Sequence, residues 1–456
     1  MSNTLARTER AATTTQGAVD LVVRAPRLIS ASGESSAAVL VKDGVIVGIE
    51  ALDAVVDAAE EIVLAEDEVL MPGVCDTHVH VNEPGRTPWE GFETATRAAA
   101  AGGTTTLIDM PLNSIPSTTT LEALRIKQAV AGPKLRMDVG FWGGAVPENI
   151  GQLKPLWDAG VFGFKCFMAP SGVDEYQHLT PEQLEAHLTE IASFDGLMIV
   201  HAENDEMLGD PDGASYAGFV ASRPPESEVS SIGTVIDAAR RTGARVHILH
   251  LSTASAVAQI AEAKRSGVRI TAETCPHYLS FAAQEIADGA TQFKCCPPIR
   301  EEAEREALWQ ALIAGDIDYV ASDHSPCTAD LKRMDVGDFG LAWGGIASVQ
   351  LVLTAVWSGA RDRGCSLSDV VSWLCEKPSA NVHLGGKGKI AVGYDADMVV
   401  FAPEATVVVD VNQLQHRNKV SPYDGRELHG LVRRTVLRGA DVDLDVPRGR
   451  MLTREA

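Results

Sequence analysis

A small set of residues in this sequence has types and positions that suit metal chemistry. His78-Val79-His80 follows Met71-Pro72-Gly73-Val74, so two imidazoles fall at i and i+2 near a strand end and share a face. One face with two imidazoles can hold one metal ion. His201 follows the apolar run Leu197-Met198-Ile199-Val200 and precedes Ala202-Glu203-Asn204, again a strand giving way to a polar loop. His247 and His250 lie on a further predicted strand, where alternation puts them on opposite faces and lets only one enter the interior. The later of the two, His250, is the expected one, because Ser252-Thr253 just after it can cap the next helix. Asp323, in Val320-Ala321-Ser322-Asp323-His324, stands where a buried strand meets a loop. A buried aspartate needs a cation or strong donors to stay charged.

Lys165, in Gly163-Phe164-Lys165-Cys166-Phe167-Met168, is an amine among apolar neighbours at another expected strand end. Desolvation lowers a lysine pKa and leaves a neutral amine that can capture carbon dioxide as a carbamate, whose two oxygens can bridge two cations. Charge balance favours that form. Neutral histidines offset nothing of two divalent ions, whereas a carbamate, Asp323 and a bridging hydroxide offset most of their charge. The plainer alternatives are polar strand ends and a snorkelling core lysine. They explain each residue singly but not the recurrence of one texture at every position.

Such residues must be positioned by strands that end on one side of a scaffold. Short apolar runs at Thr105-Leu107-Ile108, Gly163-Phe164, 197–200, Val246-Ile248-Leu249, Arg269-Ile270 and Tyr319-Val320 alternate with helix-length segments. That alternation predicts parallel strands with helical crossovers, and the number of repeats favours a closed (β/α)8 TIM-like barrel over residues 71–384. Both flanks read differently. Ala38 to Val41 and Val45 to Val47 are joined by Lys42-Asp43-Gly44, a tight hairpin signal, and β-like runs return at Lys389 to Val392, Met398 to Phe401 and Thr406 to Val409. Residues 20–70 and 385–456 are therefore expected to combine into one small β-sandwich domain, preceded by a loose tail over 1–19.

Composition narrows the partners. With 456 residues, 45% of them hydrophobic, the chain can bury a large core. Lys+Arg 39 against Asp+Glu 62 leave a net charge of −23, which repels nucleic acid and anionic lipid and favours a small-molecule substrate. The eight cysteines form no C-x-x-C pair, no secretory signal is legible, and no apolar run is long enough to span a bilayer. A cytoplasmic protein with free thiols is expected.

Met71-Pro72-Gly73 leading to Asp76-Thr77-His78-Val79-His80, the Lys165 strand, His201-Ala202-Glu203, His250-Leu251-Ser252, Cys296-Pro297-Pro298-Ile299-Arg300 and Ser322-Asp323-His324-Ser325-Pro326 together resemble the cyclic amidohydrolases. That family includes dihydroorotases, dihydropyrimidinases (hydantoinases) and allantoinases, and the resemblance runs from about Asp20 to Arg438. It implies a binuclear site held by His78, His80, Lys165 as N6-carboxylysine, His201, His250 and Asp323. Asp323 is then also the catalytic proton carrier for a metal-bridging hydroxide. Zinc is the default metal, although cobalt, manganese and iron suit the same donors.

Within the family, 82–92, 165–175, 342–346 and 421–426 resemble the allantoinase branch, which opens allantoin to allantoate. Dihydroorotases carry an arginine where Asn82 stands, and an asparagine can bond a neutral ureido group or ring amide instead of a carboxylate. The resemblance makes Asn82, Ser171, Cys296 and Gly344, with the backbone of 340–345, the expected substrate contacts. His277 and His324 become supporting residues, and a homotetramer the expected assembly. The nearest alternative is a hydantoinase or dihydropyrimidinase, which shares every metal ligand. A non-catalytic structural homologue would have lost ligands, and a mononuclear deaminase on the same barrel would not need Lys165.

Overall fold

The structure, a computed structural model, describes residues 18–30, 33–211 and 213–454. The expected tail over 1–19 lies outside the described residues except at its end, where Val19 already opens the first strand. Eight strands from the two ends of the chain form one sheet. They are β1 (Val19–Ser30), β2 (Gly33–Lys42), β3 (Val45–Glu50), β4 (Ala58–Val63), β5 (Val69–Pro72) and, from the far end, Met398–Val408, Glu427–Leu437 and Ala440–Asp441. The Asp43-Gly44 turn joins β2 to β3 with both residues at positive φ, the conformation a tight hairpin demands. Alternating Leu21, Val23, Val39, Val41 and Ile46 meet Met398 and Val400 in a core separate from that of the barrel. Lys389 to Val392 is not a strand, because glycines at 385, 386, 388 and 393 break the run into turns.

The barrel strands follow: β6 (Val74–Val79), β7 (Thr104–Asp109), β8 (Asp138–Phe141), β9 (Gly143–Gly144), β10 (Phe164–Phe167), β11 (Leu197–His201), β12 (Arg245–Ile248), β13 (Ile270–Thr274) and β14 (Tyr319–Val320). All neighbouring pairs are parallel. β8 and β9 are two pieces of one strand interrupted at Trp142, whose N–H donates to Asp109 O at 3.0 Å and whose indole donates to Thr77 O at 2.9 Å. The segment after β14 closes the ring on β6: Val79 bridges His324 in parallel, and His80 N–H donates to His324 O at 2.8 Å. Residues 451–454 leave the sheet and return to the barrel, where Met451 bridges Val139 of β8 and Leu452 N–H donates to Val139 O at 2.8 Å.

Barrel and sheet join at the N-terminal end of β8 through a buried charge cluster. Lys387 Nζ lies 2.7 Å from Asp138, 2.9 Å from Asp395 and 2.6 Å from Asp397, and Arg438 bonds Asp138 at 2.5 Å. Active sites of such barrels sit at the opposite, C-terminal ends of the strands.

Candidate metal centre

At that C-terminal end a cavity of about 370 Å³ is lined by His78, His80, Lys165, His201, His250 and Asp323, so the structure brings all six sequence-predicted positions together. Each stands in a barrel strand or within three residues of its C-terminal end. His78 is the penultimate residue of β6 and His80 follows the strand, Lys165 is in β10, and His201 ends β11. His250 and Asp323 follow β12 and β14 at φ 37° and 42°. Left-handed backbone at two non-glycine residues costs on the order of 1–3 kcal/mol each, and here it turns both side chains onto the same centre.

The donor atoms converge. His78 Nε2 and His80 Nε2 lie 3.2 Å and 3.6 Å from Asp323 Oδ1, and the three residues present ligand atoms within 4.8 Å of one another. On the other side His201 Nδ1 and His250 Nε2 approach to 3.0 Å. Lys165 Nζ reaches in over the Phe167 ring at 4.6 Å, while Phe167 stacks on His201 with ring centres 4.7 Å apart. His78 Nε2, His80 Nδ1 and His250 Nδ1 are buried without a hydrogen-bond partner. The orphaned His78 Nε2, 3.2 Å from the buried Asp323 carboxylate, fits a cation, which would accept its lone pair and neutralise Asp323.

Electrostatics favours the ligand forms of these groups. Burial, reinforced by Lys165, holds His78 and His80 well below the usual histidine range, and burial likewise lowers His201 and His250, so all four rings are neutral. Burial also lowers Lys165, which Asp323 and Glu273 only partly oppose, and raises Asp323. A centre that disfavours charge on its own lysine and aspartate calls for an external cation.

A layer of residues beneath fixes the imidazoles, and the sequence did not identify it. His78 Nδ1–H donates to Glu273 Oε1 at 2.5 Å, leaving Nε2 to face the centre. His201 Nε2 meets Glu203 Oε2 at 2.7 Å, and Arg223 bonds the same carboxylate through both its Nε and Nη2. Glu273 carried a usable signal, a carboxylate inside a short buried strand, whereas Arg223 had none. His247 corrects an expectation. It too faces the interior, where its ring stacks on Tyr319 with centres 4.9 Å apart and its Nε2 lies 3.1 Å from Glu273 Oε2. Alternation failed because His250 lies beyond the strand, where the left-handed backbone resets its direction.

Of the expected substrate contacts, Ser171, Cys296 and Gly344 line the cavity and Asn82 does not. Asn82 is buried at φ 65° with its Nδ2 donating to Pro326 O at 3.1 Å, so its amide braces the loop after Asp323 instead. The Ser171 hydroxyl is already engaged, donating to Tyr176 O at 2.6 Å. His324 is a structural hub: its Nδ1 accepts from Ser348 N–H at 3.0 Å and its Nε2 meets Glu90 at 3.3 Å. His277 is fully buried with both ring nitrogens unpartnered, near Cys275 and Asp323. Among the described residues no helix is long and apolar enough to cross a membrane.

Comparison with known proteins places this geometry. A model described as the amidohydrolase family matches residues 69–439. The chain is 53% identical to a protein named allantoinase from Streptomyces avermitilis, over 96% of this chain and 99% of that one. It is 47% identical to an allantoinase of Saccharomyces cerevisiae over 81% and 82% of the two chains. Among solved structures, an L-hydantoinase (dihydropyrimidinase) from Arthrobacter aurescens superposes with a TM-score of 0.88 at 31% identity, covering 96% of this chain and 98% of that one.

Proposed function

The chain belongs to the amidohydrolase family, and from that premise we infer that it hydrolyses the ring amide of allantoin to give allantoate. One observation carries the reading: 53% identity to an allantoinase along nearly all of both chains, against 31% to an L-hydantoinase of the same fold. Hydantoinase or dihydropyrimidinase activity is the second reading, favoured by that structural likeness.

His78, His80, His201, His250, Asp323 and a carboxylated Lys165 are the residues we assign to two divalent cations, zinc by default. Their fit rests on the neutral imidazoles, the orphaned His78 Nε2 and the buried carboxylate among them. When bound, such a pair lowers the pKa of water toward about 7 and polarises a carbonyl. The chain's own residues do the rest. Glu273 and Glu203 hold the rings of His78 and His201 in orientation. Asp323 accepts the proton of the attacking water and returns it to the departing ring nitrogen, so the C–N bond breaks to leave a carboxylate and a ureido group. Phe167 and Trp343 form apolar wall around the reacting ring. We place the protein in the cytoplasm as a homotetramer, which light scattering would check.

The deciding experiment is ring opening of allantoin, hydantoin, dihydrouracil and dihydroorotate measured side by side on protein purified with zinc and bicarbonate. Allantoin should be turned over fastest, and Lys165→Ala should lose at least about a thousandfold in kcat together with part of its metal. Preference for hydantoin or dihydrouracil would keep the chemistry and replace the substrate.

A further inference from the structure

Two lysines outside the metal centre are buried without any carboxylate. Lys294 and Lys332 are 9% and 4% exposed, and among the described residues neither forms an ion pair. Removing an ammonium ion from water is costly unless other groups replace its hydration. Here backbone carbonyls do so. Lys294 Nζ donates to Phe339 O and, at 2.6 Å, to Ala342 O. Lys332 Nζ donates to Gly345 O, to Trp343 O at 3.1 Å and to Lys294 O at 3.3 Å. Four of these five acceptors belong to the loop 339–345, whose residues 340–345 line the same cavity as His78 and His80. Gly345 N–H donates to Lys294 O at 2.8 Å and closes the clamp.

One peptide unit in the loop is left half-used. The Trp343 carbonyl points at Lys332, and a trans peptide aims its N–H the opposite way. Among the described residues that N–H, on Gly344, donates to nothing, while its neighbours at 340, 341, 342, 343 and 345 are all engaged. Gly344 lines the cavity.

We propose that Lys332, seconded by Lys294, is a positioning residue that holds the Trp343–Gly344 peptide with its N–H aimed into the cavity as a polarised donor to a carbonyl or ureido oxygen of the substrate. A cation on the carbonyl side strengthens the donor on the other side of the same peptide. The proposal rests on the allantoin reading for its substrate. It makes recognition of that oxygen depend on the charge of Lys332, which does not line the cavity.

The test uses metal-loaded protein. Allantoin turnover by the unaltered protein is read first: its absence overturns the substrate reading, and the following measurements then use whichever cyclic amide is turned over. Lys332→Gln should keep its metal content and raise KM tenfold or more with kcat changed less than threefold, and Lys332→Arg should restore most of the difference. An unchanged KM in folded, metal-loaded Lys332→Gln overturns the proposal. A second measurement needs no variant. Labelling tryptophan carbonyls with 13C and glycine with 15N selects two peptides, 142–143 and 343–344, and the Gly143 N–H, bonded to Gly163 O, serves as an internal control. Saturation with allantoate, or with the corresponding ring-opened product, should shift the 343–344 amide and leave the control in place. A stationary 343–344 amide overturns the proposal.

Discussion

The two ends of the barrel hold buried clusters of similar composition and opposite logic. At the N-terminal end Asp138, Asp395 and Asp397 surround a cation the chain supplies itself, Lys387, with Arg438 alongside. At the C-terminal end Asp323 faces the orphaned Nε2 of His78, and Lys165 is pushed toward neutrality by burial. The first cluster pairs each of its carboxylates with a cation the chain supplies and joins two domains. The second is short of positive charge, paid for in backbone strain at His250 and Asp323. A complete buried network is structural, whereas an incomplete one marks where a ligand completes it.

Three perturbations separate the two clusters, beginning with the largest effect. Asp323→Asn should reduce kcat by roughly 10²–10⁴-fold while leaving the unfolding transition nearly in place, read by assay and denaturant titration on one preparation. Comparable losses of stability and activity would erase the contrast.

Lys387→Met should do the reverse, costing about 3–5 kcal/mol of stability by stranding buried carboxylates while the folded fraction keeps its kcat. Its pH dependence follows from the shifts. Burial pushes Asp138 up, but Lys387 and Arg438 outweigh it and hold it below its ordinary 3.8, so its contribution is present above that value and fades as pH falls through the lower folded one. Burial pushes Lys387 down, but Asp397, Asp138 and Asp395 outweigh it and raise it above its ordinary 10.5, so its contribution is complete below 10.5 and fades as pH rises beyond. Burial outweighs Lys387 at Asp397 and holds its carboxyl above the ordinary 3.8. The penalty of Lys387→Met should therefore be greatest from the neutral range up to about pH 10.5 and should shrink as pH falls through the raised Asp397 value. Urea unfolding of both proteins across that range checks it.

Glu203→Gln should have the smallest effect on activity, weakening metal affinity about 10–100-fold by freeing His201 to rotate, and it should also lower stability because the Arg223 guanidinium loses its buried carboxylate. Metal competition against a chelator measures it, and unaltered affinity would assign Glu203 to Arg223 alone.

Strand ends were legible in the sequence because their signal is local: an apolar run, then a polar residue, at 78, 165, 201, 250 and 323. The (β/α)8 alternation was legible for the same reason. The third barrel strand was not. Asp138 to Gly144 contains Gly140, Gly143 and Gly144, which read as turn residues, and only the close approach of Phe162, Phe164 and Tyr176 respectively explains why side chains are absent there. Asn82 was not legible in detail: its Nδ2 is used on Pro326 and it does not line the cavity, while its buried Oδ1 has no hydrogen-bond partner among the described residues.

What the sequence determined by itself, then, is which residue types stand at the ends of which strands, since a strand's period and a loop's polarity are written within a few residues. Only the tertiary structure decided which side chains orient them. Glu273 reaches His78 across 195 positions, Lys387 reaches Asp138 across 249, and Lys332 meets Trp343 through a fold in the loop. Such pairings depend on how closed strands and packed loops bring distant segments within hydrogen-bond reach, and no local pattern encodes that distance.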